Sequence, residues 1–159
     1  WNVMAECVAL GEGDGVTRVP VVDYSSAGNF GAVSLCPEQL GADNPYEFVS
    51  MRTLDSFGLS RCDLIKIDVE GAEANVISGG HQTLKSMQPI LLMELSDRAL
   101  RAQGNSAEEL LSILRDTFGY EILNFSLKTG RVELCPEGMP HSANIVAAPA
   151  HRVSELLKA

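Results

Sequence analysis

The chain is poor in positive charge: 12 Lys and Arg stand against 21 Asp and Glu, giving a formal net charge of −9 and a pI near 4.7. Such a surface repels phosphate backbones and anionic lipid, and the few basic residues do not gather into a stripe. Nucleic acid and membrane surfaces are therefore excluded as partners, and a small-molecule substrate is expected. Long apolar runs are also missing, so no segment reaches the length needed to cross a bilayer. The amino terminus lacks the charged-then-apolar order of a signal peptide, which makes a cytoplasmic protein the expectation.

Paired cysteines are absent too. Cys7, Cys36, Cys62 and Cys135 sit too far apart for a zinc site or a redox dithiol, and read as small buried hydrophobes of a reducing compartment. His81, His141 and His151 have no acid or cysteine at ligand spacing, which argues against a histidine metal site or a nucleophile triad. There is no serine in a nucleophile elbow, no GxxxxGK phosphate loop and no glycine fingerprint for a dinucleotide.

What the chain has is one ordinary core. At 159 residues, 45% hydrophobic and 21% charged, with mean hydropathy +0.06, residues 1–159 read as a single α/β domain. The first part, to about Arg52, carries short strands at Asn2–Leu10, Val19–Tyr24, Gly31–Leu35 and Phe48–Arg52, separated by Gly, Asn and Pro. The last three read as small antiparallel additions, and Pro20 makes the first of these an edge or loop strand.

From Cys62 onward strands and helices alternate, the signature of parallel units joined by crossovers. Leu64–Asp68 is a strand, followed by a helix from about Ala72 that Gly79-Gly80 interrupts. Pro89–Leu95 is nearly all apolar, as expected of a strand covered on both faces. Ser106 and Glu109 form a capping box for a helix through Phe118. Strands at Tyr120–Phe125, Val132–Leu134 and Asn144–Ala147 and a helix near Val153–Leu157 complete the order.

The chemistry is expected where strands end in acids. Leu64–Glu73 reads as an apolar run that stops at Asp68 and Glu70, passes through Gly71 and turns into a helix, and the next strand ends in Glu94 and Asp97. In an open α/β sheet the crevice beyond the carboxyl ends of the strands is where ligands bind. Asp68, Glu70 and Glu94 are therefore the candidate catalytic residues, able to share a proton, a water or a hard cation such as Mg2+, and to raise one pKa into the range of a base. Each has a structural alternative: Glu70 or Glu73 as a helix cap, and Glu94 as the partner of Arg98 or Arg101. Lys66, in the middle of the strand, needs an acidic partner or a path to solvent. The segment Gly28-Asn29-Phe30-Gly31 suits a loop bending over a substrate, with Asn29 and Phe30 as its candidate contacts, or a plain turn.

Lys66-Ile67-Asp68-Val69-Glu70-Gly71-Ala72-Glu73, preceded by Arg52-Thr53-Leu54-Asp55-Ser56 and followed by Pro89–Glu94, resembles the FkbM family of methyltransferases. Asn29–Leu35 and Ala9-Leu10-Gly11 fit the same pattern, so the resemblance runs to about Tyr120. It implies an S-adenosylmethionine-dependent O-methyltransferase acting on a hydroxyl of a sugar or other small metabolite. The implied fold is the class I, Rossmann-like, mostly parallel sheet flanked by helices, with strand order 3-2-1-4-5-7-6. Asp68, with Ala9 and Leu10, would then line the cofactor site.

The glycine-rich cofactor loop and the first two strands of that scaffold are not found in the chain, so impaired cofactor binding is expected. The strand Leu64–Asp68 would be left with a bare edge, to be covered by Val3–Leu10 or by a second copy in a homodimer. Two rival readings remain: a noncatalytic module pairing through that edge, and a metal-dependent hydrolase built on Asp68, Glu70 and Glu94.

Overall fold

The computed structural model describes residues 2–22, 25, 45–135, 140 and 143–158. Two sheets form. The smaller has the order β1 (Ala9–Leu10), β3 (Tyr46–Arg52), β2 (Gly15–Pro20). The larger has the order β4 (Leu64–Ile67), β5 (Ile90–Glu94), β8 (Asn144–Pro149), β6 (Tyr120–Phe125), β7 (Val132–Leu134).

Only β4 and β5 pair in parallel within the larger sheet, while β8 is antiparallel to both β5 and β6, and β7 is antiparallel to β6. The mostly parallel sheet expected from the sequence is thus a mixed one. The reason lies in the connections. β4, β5 and β6 point the same way because helices carry the chain back between them, whereas the chain reverses from β6 into β7 and β8 runs in the same direction as β7, so β8 enters inverted between β5 and β6.

Helices α1 (Glu73–Gly79) and α2 (His81–Met87) form the β4-to-β5 crossover, and α3 (Asp97–Ala102) and α4 (Ala107–Asp116) carry the chain from β5 to β6. The interruption expected at Gly79-Gly80 is the break between α1 and α2. Ser106 caps α4 as expected: its Oγ accepts from the Glu109 amide at 3.2 Å, while the Glu109 side chain returns to the Ser106 hydroxyl, which donates to Oε2 at 2.8 Å, instead of to the backbone amide of a capping box. Val76, Ile77, Leu84, Leu100, Leu110 and Leu114 from these four helices pack with Leu91 and Met93 on one face of the sheet. Helix α5 (Ala150–Leu156) covers the other face, where Val153 and Leu156 meet Ile90 and Val146. Strand β5 is therefore buried on both sides, as its unbroken apolar run requires.

The smaller sheet departs from expectation in two places. Of the segment Asn2–Leu10 only Ala9 and Leu10 are in a strand, and they pair in parallel with Met51 and Arg52 of β3 instead of covering β4. A lone alternating stretch becomes a strand only where a neighbour accepts its hydrogen bonds. Strand β4 consequently ends the larger sheet among the described residues, with Leu64 59% exposed. The second departure is β2, which spans Gly15–Pro20 instead of the expected Val19–Tyr24; it is an edge strand and ends at Pro20, which has no amide to donate. The expected strand Gly31–Leu35 and the loop with Asn29 and Phe30 lie outside the described residues.

Cys7 is exposed and Cys62 and Cys135 are half-buried, so none of these three is the fully buried hydrophobe expected. No helix among the described residues is long and apolar enough to cross a membrane.

Candidate active site

Parallel pairing of β4 with β5 sets Ile67 opposite Met93, and the next residue on each strand is an acid, Asp68 and Glu94. Both acids line one pocket at the carboxyl ends of the strands, together with Glu70 and Glu73. Gly71, Ser96 and Ala99 complete its wall. Two crossover connections leave the sheet side by side at this point, so the loop after β4 and the start of α3 face each other across it.

The loop after β4 is held in an uncommon conformation. Glu70 has φ 50° and Gly71 has φ 102°, two successive residues on the left-handed side of the backbone map. A non-glycine residue there stores strain that its surroundings must hold in place. The hold is visible at Gly71: an added Cβ would collide with the backbone carbonyl of Ala99 in α3. The glycine allows α3 to pack directly on the loop, and that contact aims Glu70 into the pocket.

The four acids are not equivalent. Lys66 Nζ pairs with Asp68 Oδ2 at 2.5 Å, which supplies the acidic partner that a lysine in this strand needs. The two side chains, 61% and 41% exposed, lie in solvent on the face α1 to α4 do not cover, so the pair contributes little to stability. Glu70 is half-buried. Burial lifts its carboxyl above the usual range, and the charges of Glu94, Asp68 and Glu73 lift it further.

Glu73 is the most enclosed, with 3% of its surface exposed. Its Oε1 accepts from the Gly71 amide at 3.1 Å, whereas Oε2 is buried with no hydrogen-bond partner among the described residues. A buried acceptor left in that state costs about 1–3 kcal/mol, more when charged. The sequence pattern suggested a helix cap for Glu73, yet α1 has no side-chain cap at Ala72, and Glu73 serves the loop instead. Glu73 and Ser96 were not singled out as site residues, because alternation shows which way a strand residue points but not what a helix's first turn encloses.

The remaining acids near the motif turn out to be structural. Asp97 Oδ1 accepts from the Ala107 amide at 2.9 Å and Oδ2 from Arg101 Nε at 2.7 Å, and these bonds hold its pKa low. Arg101 is therefore committed to Asp97 and not to Glu94. Asp55 caps α2: its carboxylate accepts from the amides of Gln82 and Thr83 at 2.8 Å each and from the Thr83 hydroxyl at 2.7 Å.

Two other expectations are not met at this pocket. Leu10 lines a separate apolar hollow with Leu54, Phe57 and Leu59. That hollow lies past the far end of α1, since a Cβ on Gly79 would meet the carbonyl of Gly11. The seven residues of α1 put about 10 Å between it and Glu73. Nor is a ligand set for Mg2+ assembled: among the described residues no group of three or more His, Cys, Asp or Glu is arranged to hold a metal ion. Carboxylates can share a wall without pointing their oxygens at one centre.

Comparison with curated proteins gives no match, and comparison with solved structures gives none. The family model described as methyltransferase FkbM domain matches residues 3–122, which span the strained loop, all four pocket acids and the Asp55 cap. By that match the chain belongs to the FkbM methyltransferase family.

Proposed function

We propose that the chain belongs to an S-adenosylmethionine-dependent O-methyltransferase whose acceptor is a hydroxyl of a sugar or other small metabolite. The observation that carries this reading is the convergence of Asp68, Glu70 and Glu94 on one pocket at the strand ends, with the Glu70 carboxyl raised in pKa. A carboxylate raised in this way holds a proton closer to neutral pH and is a stronger base toward an acceptor hydroxyl. Glu70 is the base; Asp68, paired with Lys66, and Glu94 set the field around it. The strand order supports the same reading, because β4-β5-β8-β6 with β8 inverted follows the 4-5-7-6 half of the class I scaffold.

The cofactor supplies the methyl group when bound, and the acidic pocket does not fit it. The enclosed part of the acidic pocket is about 10 Å3, room for one water-sized group, which is far too small for a nucleoside. Ala9 and Leu10 sit beyond the other end of α1. The chain's own contribution is therefore the acceptor side: the strained loop fixes Glu70, and the pocket orients the hydroxyl and takes its proton.

Methyl transfer from labelled S-adenosylmethionine at millimolar concentration to a panel of sugars and amino sugars tests the proposal. Slow transfer is expected, reduced about a hundredfold by Glu70→Gln, as for loss of a general base. Equal transfer by the variant, or none to any acceptor, overturns it.

A second reading is favoured by one observation, the edge of β4, which no strand covers among the described residues, with Leu64 59% exposed. Such an edge is a template for another strand, which would make two copies of the chain partners. A mass that doubles with concentration and reverts to monomer in Leu64→Lys supports pairing there; a monomer at all concentrations removes it.

A further inference from the structure

The proposed function leaves the innermost wall of the pocket unused. Glu73 is buried, lines the pocket, and presents an oxygen that no group among the described residues satisfies. Among the described residues no lysine, arginine or histidine lines the pocket, while four carboxylates do. Satisfying Glu73 Oε2 requires an N–H or O–H donor, and the excess of negative charge selects a cationic one.

We propose that the pocket seats a primary ammonium group of the acceptor, held by Glu73 with help from Glu94, so that the substrate is an amino sugar or another amino alcohol. The inference rests on the methyltransferase reading only for the word acceptor; the ammonium site stands on the geometry. Size decides between cations: the enclosed space takes a single water-sized head, which suits –NH3+ and excludes a planar guanidinium. An ammonium head carries three donors and no acceptor, which suits a cavity lined by carboxylates.

Burial divides the roles. Glu73 is buried, Glu70 is half-buried, and Asp68 and Glu94 are exposed. An amine anchored at Glu73 would thus place a neighbouring hydroxyl at Glu70. This explains why two glutamates three residues apart serve one pocket without duplicating each other.

The test titrates the chain with D-glucosamine, D-glucose and methylammonium chloride in the absence of S-adenosylmethionine, read by calorimetry. Glucosamine is expected to bind at least tenfold more tightly than glucose, with methylammonium competing. Glu73→Gln is expected to weaken glucosamine at least tenfold and to leave glucose unchanged. Should Glu73→Gln fail to fold, Glu94→Gln gives the second arm, with a smaller loss confined to the amine.

Equal affinity for the two sugars, or amine binding unaltered in both variants, overturns the proposal. Displacement of methylammonium by S-adenosylhomocysteine also overturns it, by assigning the site to the cofactor's amino-acid end. The two readings fail separately. Amine binding without methyl transfer to any acceptor leaves the ammonium site standing and removes the methyltransferase reading, while transfer to glucose and glucosamine with equal kcat/KM does the reverse.

Discussion

Asp55 and Glu73 both belong to the stretches that mark this family, and both carry buried or half-buried carboxylates beside a helix start, yet they are treated in opposite ways. Burial pushes the Asp55 pKa up, but the amides of Gln82 and Thr83 and the Thr83 hydroxyl outweigh it, and the carboxyl ends below its usual range. Glu73 receives one amide from Gly71, and its second oxygen has no donor among the described residues. Its neighbour Glu70 is raised by burial and by the surrounding acids. A carboxylate whose donors are all supplied by the chain is part of the scaffold, and one whose donors are withheld is kept for something else.

The comparison can be broken at its supports. The largest effect is expected from Gly71→Ala, which forces a Cβ both onto a positive φ and into the Ala99 carbonyl. A loss of about 3 kcal/mol in urea unfolding is expected, since each strained feature costs roughly 1–3 kcal/mol. A loss under about 0.5 kcal/mol would show that α3 does not clamp the loop. Next is Asp55→Ala, which strips three hydrogen bonds from the start of α2. About 2 kcal/mol should be lost, the upper range for a helix cap.

Glu73→Gln sharpens the contrast, because removing an unsatisfied buried charge leaves stability unchanged or raises it by about 1 kcal/mol. A loss as large as that of Asp55→Ala would erase the distinction between the two acids.

The smallest effects are in pH dependence, and they have opposite signs. Asp55 has a depressed pKa in the folded chain, so its contribution is present above the unfolded value, about 3.9, and is lost as pH falls through the folded pKa. Glu70 has a raised pKa, so its contribution is present below the unfolded value, about 4.3, and is lost as pH rises through the folded pKa. Chemical denaturation across pH should show Asp55→Ala flattening the acid limb and Glu70→Gln flattening the decline above about pH 4.3. The same limb flattened by both variants would contradict the assignment.

Much of the larger sheet was legible because its strands announce themselves by composition and punctuation. Tyr120–Phe125 and Val132–Leu134 form with the expected bounds, and Ser106 with Glu109 caps α4 as the spacing indicates. Strand direction was less legible, since an apolar run reads the same whichever way its neighbour points, and β8 enters inverted. The expected strand at the amino terminus shrank to Ala9–Leu10 because a strand needs a partner as well as a pattern.

At the site, the ends of β4 and β5 gave away Asp68, Glu70 and Glu94. The positive φ of Glu70 was hidden, since only the following Gly71 hints at a left-handed turn. The burial of Glu73 was hidden as well, because it depends on α3 closing over the loop from 26 positions away, between Gly71 and Asp97 where α3 begins.

The claim that neighbouring strands deliver their acids into one pocket is tested most directly by following the Glu70 carboxyl through a carbon-13 NMR pH titration in the unaltered chain and in Glu94→Gln. A midpoint above the ordinary glutamate value of about 4.3 that falls when Glu94 loses its charge is the expected result. A midpoint at or below that value, indifferent to the substitution, would contradict it.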